Sequence, residues 1–264
     1  MHPFEYFRPD SVAQALDLYQ ASEERQWLAG GMTLLPAMKL RLAAPSALID
    51  LAGLEELRGI DVRNGSVEIG AMTLHDDVAR STLVREKVPA LSALAGGIGD
   101  SQVRNRGTIG GSVSNSDPAA DYPAGVLGLG ATLKTTARTI AADDFFTDLF
   151  ETSLEPGELL LSVEFPIPRR ARYQKFPNPA SRYAIVGVMV AEFDDAVRVA
   201  VTGAGSFAFR MTEMEDALAD DFDSRAIADI KMPTQNLNED MHASAEYRSH
   251  LLTVMAQRAV DAAK

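Results

Sequence analysis

Cysteine is missing from all 264 residues. That excludes disulfides, thiol nucleophiles, zinc–thiolate sites and iron–sulfur ligation by this chain. Histidine is scarce, and His2, His75, His242 and His250 show no metal-ligand spacing. Basic residues are too few to balance the acids: 25 Lys and Arg against 37 Asp and Glu give a net charge of −12. A basic face able to neutralise nucleic-acid phosphates or dock on an anionic membrane is therefore not expected. No run approaches the roughly 18 apolar residues of a membrane helix. The start, MHPFEYFRPDS, has neither the basic opening nor the apolar stretch of a signal peptide. The expectation is a cytoplasmic protein with no membrane span. Neither an internal repeat nor a low-complexity tract interrupts it.

What is there is ordinary globular material. A hydrophobic content of 46% supports a sizeable core in one large or two modest domains. SVAQALDLYQA carries Val12, Ala15, Leu16 and Tyr19 at helical spacing, with Asp10 or Ser11 as its cap. RQWLA reads as a short strand running into Gly30 and Gly31, MTLLPAMKLRLA as helix, and SALIDL as a second strand. In IDVRNGSVEIGAMTL, Asn64-Gly65 marks a tight hairpin turn between alternating strands. VPALSALAGGI and the run from Pro123 to Leu129 read as helices, and ATLKTTA and ELLLSVEFPIP as strands. Beyond Arg170 two β-branched runs meet at Asp194-Asp195 as a hairpin, and the remainder, FDSRAIADI included, reads as mostly helical. Three units are expected, 1–56, 57–170 and 171–264.

Two segments point to chemistry. In LAGGMTLLP a strand enters two glycines and then a helix, which gathers free backbone N–H groups and a positive helix end at one point, an anion site. Thr33 can add a hydroxyl. Taken alone, this segment is better accounted for as a tight turn with no ligand. RNRGTIGGSVSNSDPAADYPA repeats the device: Thr108, Gly110, Gly111 and Ser112 offer small side chains and accessible backbone, and little of the stretch looks like core. Asp121 can accept hydrogen bonds from sugar or ring groups, and Arg104 and Arg106 can face phosphate or form surface ion pairs. Two such segments suggest an extended pyrophosphate between them. GAGSFA, 203–208, fits a relaxed dinucleotide fingerprint, but no helix opens inside it, so a turn at a strand end is the better reading. Catalytic triads, paired carboxylates and metal-assisted hydrolysis find no local support, so any chemistry falls to a bound cofactor.

LAGGMTLLP and RNRGTIGGSVSNSDPAADYPA, in that order, resemble the flavin-binding medium subunit of the molybdenum hydroxylases, the xanthine dehydrogenase and carbon monoxide dehydrogenase family. FEYFRPDSVAQAL, LEPGELLLSVEFPIP, YQKFPNPASRYAIVGV and HASAEYRSHLLTVMAQRAV extend the resemblance over essentially the whole chain. It implies an α+β protein: an FAD-binding domain of the vanillyl-alcohol-oxidase-like (PCMH) type, built of two α/β subdomains, then a small C-terminal sheet-plus-helices domain. By the same resemblance the first FAD loop would be Ala29, Gly30, Gly31, Met32, Thr33 and Leu34. The second would be Thr108, Ile109, Gly110, Gly111 and Ser112, with Asp121 on the adenosine side. Leu160 and Lys175 would lie near the isoalloxazine, the lysine stabilising reduced anionic flavin, and Tyr183 would shield one flavin face. Met32 stands where the family often has a polar residue, and Ser112 where many relatives have asparagine.

The resemblance further implies a division of labour that suits the missing cysteines. Two [2Fe-2S] clusters would lie on a small partner subunit and the molybdenum cofactor on a large one, in a heterotrimer or its dimer. Electrons would reach FAD on this chain and leave for an external acceptor. The rivals are a free-standing FAD-dependent oxidoreductase and a non-catalytic nucleotide-binding protein.

Overall fold

The computed structural model describes residues 1–21 and 24–263. The chain opens with β1 (Glu5–Phe7), α1 (Val12–Gln20), β2 (Arg25–Leu28), α2 (Leu34–Lys39) and β3 (Ala47–Asp50). The Ser11 side chain caps α1 by accepting from the Gln14 backbone N–H, which settles the choice between Asp10 and Ser11. β1 and β2 flank β3 in a parallel sheet, order β1-β3-β2, the arrangement a strand–helix–strand crossover requires.

The middle of the chain builds an antiparallel sheet. β4 (Ile60–Arg63) and β5 (Ser66–Gly70) form the expected hairpin, with Asn64 and Gly65 both at positive φ, as a two-residue turn of this hand demands. β6 (Thr132–Thr135), β7 (Thr139–Ala141) and, after the small hairpin β8 (Phe146–Asp148)–β9 (Glu151–Thr152), β10 (Leu160–Pro166) complete it in the order β4-β5-β10-β6-β7. Between β5 and β6 runs a succession of short helices. α3 (His75–Arg80), α4 (Thr82–Lys87) and α5 (Pro89–Gly96) come first, then α6 (Ser101–Arg104), α7 (Ile109–Asn115) and α8 (Tyr122–Gly128).

This corrects the reading of residues 103–124 as exposed backbone. Ile109, Val113 and Tyr122 are fully buried there, and α8 carries no exposed residue. Their core also takes in Val67 and Ile69 of the sheet and Leu91 and Leu94 of α5.

The last unit is a four-stranded antiparallel meander, β11 (Arg170–Pro177), β12 (Ala184–Glu192), β13 (Val197–Thr202) and β14 (Phe209–Arg210), in sequential order. β12 is buried along eight of its nine residues because α10 (Ala245–Ala262) covers one face and α8 the other. α9 (Thr212–Asp220) packs on β13. The segment between α9 and α10 is not mostly helical as expected: Ser224–Ile227 and Thr234–Asn236 make only single 3-10 turns. Among the described residues, no helix is long and apolar enough to cross a membrane.

Candidate functional site

Where β2 ends and α2 begins, the chain crosses the base of α7, and the two glycine segments touch. A Cβ on Gly30 would stand 2.2 Å from the Arg106 carbonyl oxygen and 2.7 Å from Gly107 Cα, so only glycine permits this approach. Gly31 follows at φ 71°, a left-handed turn that swings the chain into α2. The consequence is chemical. Among the described residues, no protein acceptor takes the backbone N–H groups of Gly30, Gly31, Met32, Thr33 and Leu34. The Thr33 hydroxyl makes no capping bond either. Gly30, Gly31 and Leu34 are half-buried and Met32 and Thr33 exposed, so these donors stand open at the cavity wall, an arrangement that suits an anionic group.

The second segment behaves differently. Thr108 is the N-cap of α7 and its hydroxyl accepts from the Gly111 N–H at 3.1 Å. The N–H of Ile109 donates to the Thr73 carbonyl, that of Gly110 to Ala71, and that of Ser112 to Thr108. The expectation of accessible backbone donors here is thus corrected: the amides of residues 109–112 are spent inside the protein. What α7 presents instead is its polar side, Ser112, Ser114 and Asn115.

These two segments line one cavity of about 710 Å³, within the range of cofactor sites. All the residues that the family resemblance assigns to the cofactor line it except two. Ile109 is turned into the core, fully buried. Lys175 sits behind Asp121 with its ammonium shared among three acceptors: the Asp121 carboxylate at 3.0 Å, the Gly97 carbonyl at 2.8 Å and the Arg182 carbonyl at 3.0 Å. It is a buried partner of Asp121, not a cation free to face a ligand. Arg104 and Arg106 also stay off the cavity wall, and Arg104 donates to the Ile98 and Gly99 carbonyls. The arginine that does line it is Arg182.

Asp121 forms the inner floor. The Tyr173 hydroxyl donates to one carboxylate oxygen and Lys175 to the other. Burial pushes the Asp121 carboxyl up from its ordinary range, against the pull of Lys175 and Tyr173. Burial, followed by the neighbouring Asp117 and Asp121 charges, likewise raises Tyr183. Tyr183 closes the loop after β11: Asn178 N–H donates to its carbonyl at 2.8 Å, and Arg182 before it is held at φ 64°. Leu160 contributes an apolar wall from β10.

Sequence reasoning missed Ser114, Asn115, Asp117, Arg182 and His75. The first three lie within a quoted segment, but the side that Ser114 and Asn115 take on α7, and the place of Asp117 just beyond it, show only once the helix is known. Among the described residues, no group of His, Asp and Glu is placed to hold a metal ion.

Comparison with known proteins accounts for this architecture. A family described as the FAD binding domain in molybdopterin dehydrogenase matches residues 2–168, and the CO dehydrogenase flavoprotein C-terminal domain matches 171–263. The chain is 33% identical to the glyceraldehyde dehydrogenase medium chain of Sulfolobus acidocaldarius, over 98% of each chain. It is 34% identical to the carbon monoxide dehydrogenase medium chain of Hydrogenophaga pseudoflava, over 98% of this chain and 96% of that one. The reconstituted CO dehydrogenase from Oligotropha carboxidovorans superposes with a TM-score of 0.91 at 32% identity, over 98% of this chain and 97% of the other. The chain belongs to the FAD-binding medium-subunit family of the molybdenum hydroxylases, and it is an oxidoreductase flavoprotein.

Proposed function

We propose that this chain is the electron-transfer subunit of a heteromeric molybdenum hydroxylase. It takes electrons from [2Fe-2S] clusters on a small partner subunit and passes them to an external acceptor, while the molybdenum cofactor sits on a large partner. The observation that carries the reading is the row of unpaired amides at residues 30–34, set against a cavity of cofactor size. Cysteine-free, the chain holds no iron–sulfur ligands of its own. Bound FAD supplies the redox chemistry that none of its side chains offers.

The protein's own residues bind, orient and screen. Ala29 to Leu34 would take the diphosphate on their N–H groups and the Thr33 hydroxyl. Gly110, Gly111 and Ser112 would pack along it from α7, the glycines by contact and Ser112 by its hydroxyl. Asp121, fixed by Tyr173 and Lys175, would present a carboxylate edge of fixed orientation to a sugar or ring donor. Leu160 and Tyr183 would border the ring system, one apolar and one with a hydroxyl held protonated by burial. Lys175 acts through Asp121: the buried pair delivers little net charge to the cavity. The three units 1–56, 57–170 and 171–264 divide the work. The first contributes the amides, the second α7 and Asp121, and the third the Tyr173–Lys175 brace and Tyr183.

The test is purification of the native protein with whatever accompanies it, followed by a visible spectrum and a subunit gel. Flavin and iron–sulfur bands with two further chains are the expected result. Flavin from this chain alone, fully active with its own substrate, would overturn the relay.

A further inference from the structure

Six buried side-chain polar atoms lack a hydrogen-bond partner among the described residues: Arg25 Nε, Arg58 Nε, His75 Nδ1, Tyr122 OH, Ser153 Oγ and Arg248 Nε. Of the residues that carry them, only His75 lines the large cavity. His75 is the first residue of α3 and is 4% exposed. Its backbone N–H donates to the Gly107 carbonyl at 3.0 Å, which fastens it to the start of the second glycine segment. Its ring packs against Tyr122 at 5.3 Å between centroids, tilted by 45°.

The ring's position is specific. A Cβ on Gly107 would lie 2.5 Å from His75 Nε2, and Gly107 Cα is the same atom against which Gly30 is packed. Gly30, Gly107 and His75 therefore meet at one junction, beside the free amides of residues 30–34. Burial, and then the nearby charge of Arg104, push the imidazole down to about 4. At neutral pH it is an uncharged ring with one donor and one acceptor, and Nδ1 is sealed without a partner. Nε2 is the nitrogen left for the cavity. Among the described residues no protein group bonds Nε2, so a ligand oxygen at the cavity wall can take its hydrogen bond, whereas Nδ1 stays enclosed.

We propose that His75 is a cofactor-contacting residue, its imidazole hydrogen-bonding an oxygen of the sugar–phosphate chain of FAD where the two glycine segments meet. The inference rests on the reading that this cavity holds FAD. It adds a side-chain contact from α3 to a site otherwise made from the two glycine segments and the Asp121 floor. Uncharged, the ring contributes direction and hydrogen bonding but no attraction at long range.

The experiment compares flavin-stripped wild type, H75F and H75N by titration with FAD, followed by quenching of flavin fluorescence. Phenylalanine fills the space and removes both nitrogens, whereas asparagine keeps a donor and an acceptor. H75F is expected to raise the apparent Kd roughly tenfold or more, the scale of one lost hydrogen bond, with H75N closer to wild type. Circular dichroism and melting of the stripped proteins separate lost affinity from lost structure. Independently of any variant, the long-range 1H–15N spectrum of the wild type resolves its four histidines. The His75 ring signals should move on addition of FAD. Unmoved His75 signals at FAD saturation, or wild-type affinity in H75F, would overturn the proposal. Wild type that takes up no FAD would overturn the reading of the cavity, and the role of His75 with it.

Discussion

The two glycine segments look alike in the sequence and act in opposite ways in the fold. Among the described residues, 30–34 keep their amides unpaired, while 109–112 give theirs to Thr73, Ala71 and Thr108. The first leaves its donors open to the cavity, and the second spends them inside the protein. Glycine serves each differently. In the first it opens the backbone to an approaching group. In the second it lets α7 lie against the end of β5: a Cβ on Gly110 would sit 2.5 Å from Ala71 Cβ. The lesson is that a glycine-rich motif names a place of close approach without saying what approaches.

That contrast can be broken at several points. The largest effect should come from Asp121→Ala, at the end of the second segment. It strands the Lys175 ammonium in a site where its side chain is only 11% exposed. Removing one partner of a buried ion pair costs about 3–5 kcal/mol, so denaturant unfolding should shift by that amount with or without FAD. A shift seen only with FAD present would place Asp121 in the ligand's service alone.

Next is acidification. The unfolded chain binds a proton at His75 near its ordinary value of 6.5, whereas folded His75 resists it until about 4. Between those values the unfolded state holds more protons, so stability must fall as the pH is lowered from 6.5 to 4. The integrated contribution is on the order of 3 kcal/mol. In H75N this component of the loss should vanish, as urea midpoints across the window would show.

Gly30→Ala and Gly110→Ala then sharpen the comparison directly. Each overpacks its contact by roughly 1–3 kcal/mol. In Gly30→Ala the damage should fall chiefly on FAD affinity, measured by fluorescence titration, and in Gly110→Ala on the melting temperature of the FAD-free protein. The smallest effect is expected for Thr108→Ala, which loses a helix cap worth about 1 kcal/mol and leaves the free amides of residues 30–34 in place. Equal loss of FAD affinity in all three would erase the distinction between the segments.

Much of this could be read in advance, for reasons that particular residues make plain. Leu28 and Gly30 mark an apolar strand stopping at glycine, so the first segment was legible, and Asn64-Gly65 announced its hairpin. α7 was not, because only Ile109 and Val113 signal it in seven residues and its first turn contains two glycines. Helices this short owe their stability to packing, which local sequence does not display. Lys175 shows a second limit. Its type and position suggest a free cation, yet two of its acceptors, Gly97 and Asp121, lie 78 and 54 residues away. His75 shows a third: a histidine followed by two aspartates gives no sign that one ring nitrogen will be buried without a partner. The family resemblance points to the cavity, and the hydrogen bonds of the two glycine segments set them apart.

The most direct measurement is FAD stoichiometry. Wild type and Gly30→Val would be stripped, incubated with excess FAD, passed through a desalting column and scanned in the visible. Wild type should emerge yellow with one FAD per chain, and Gly30→Val, whose side chain forces the two segments apart, nearly colourless. A colourless wild type, or a Gly30→Val protein that retains full flavin, would contradict the assignment of this cavity to FAD.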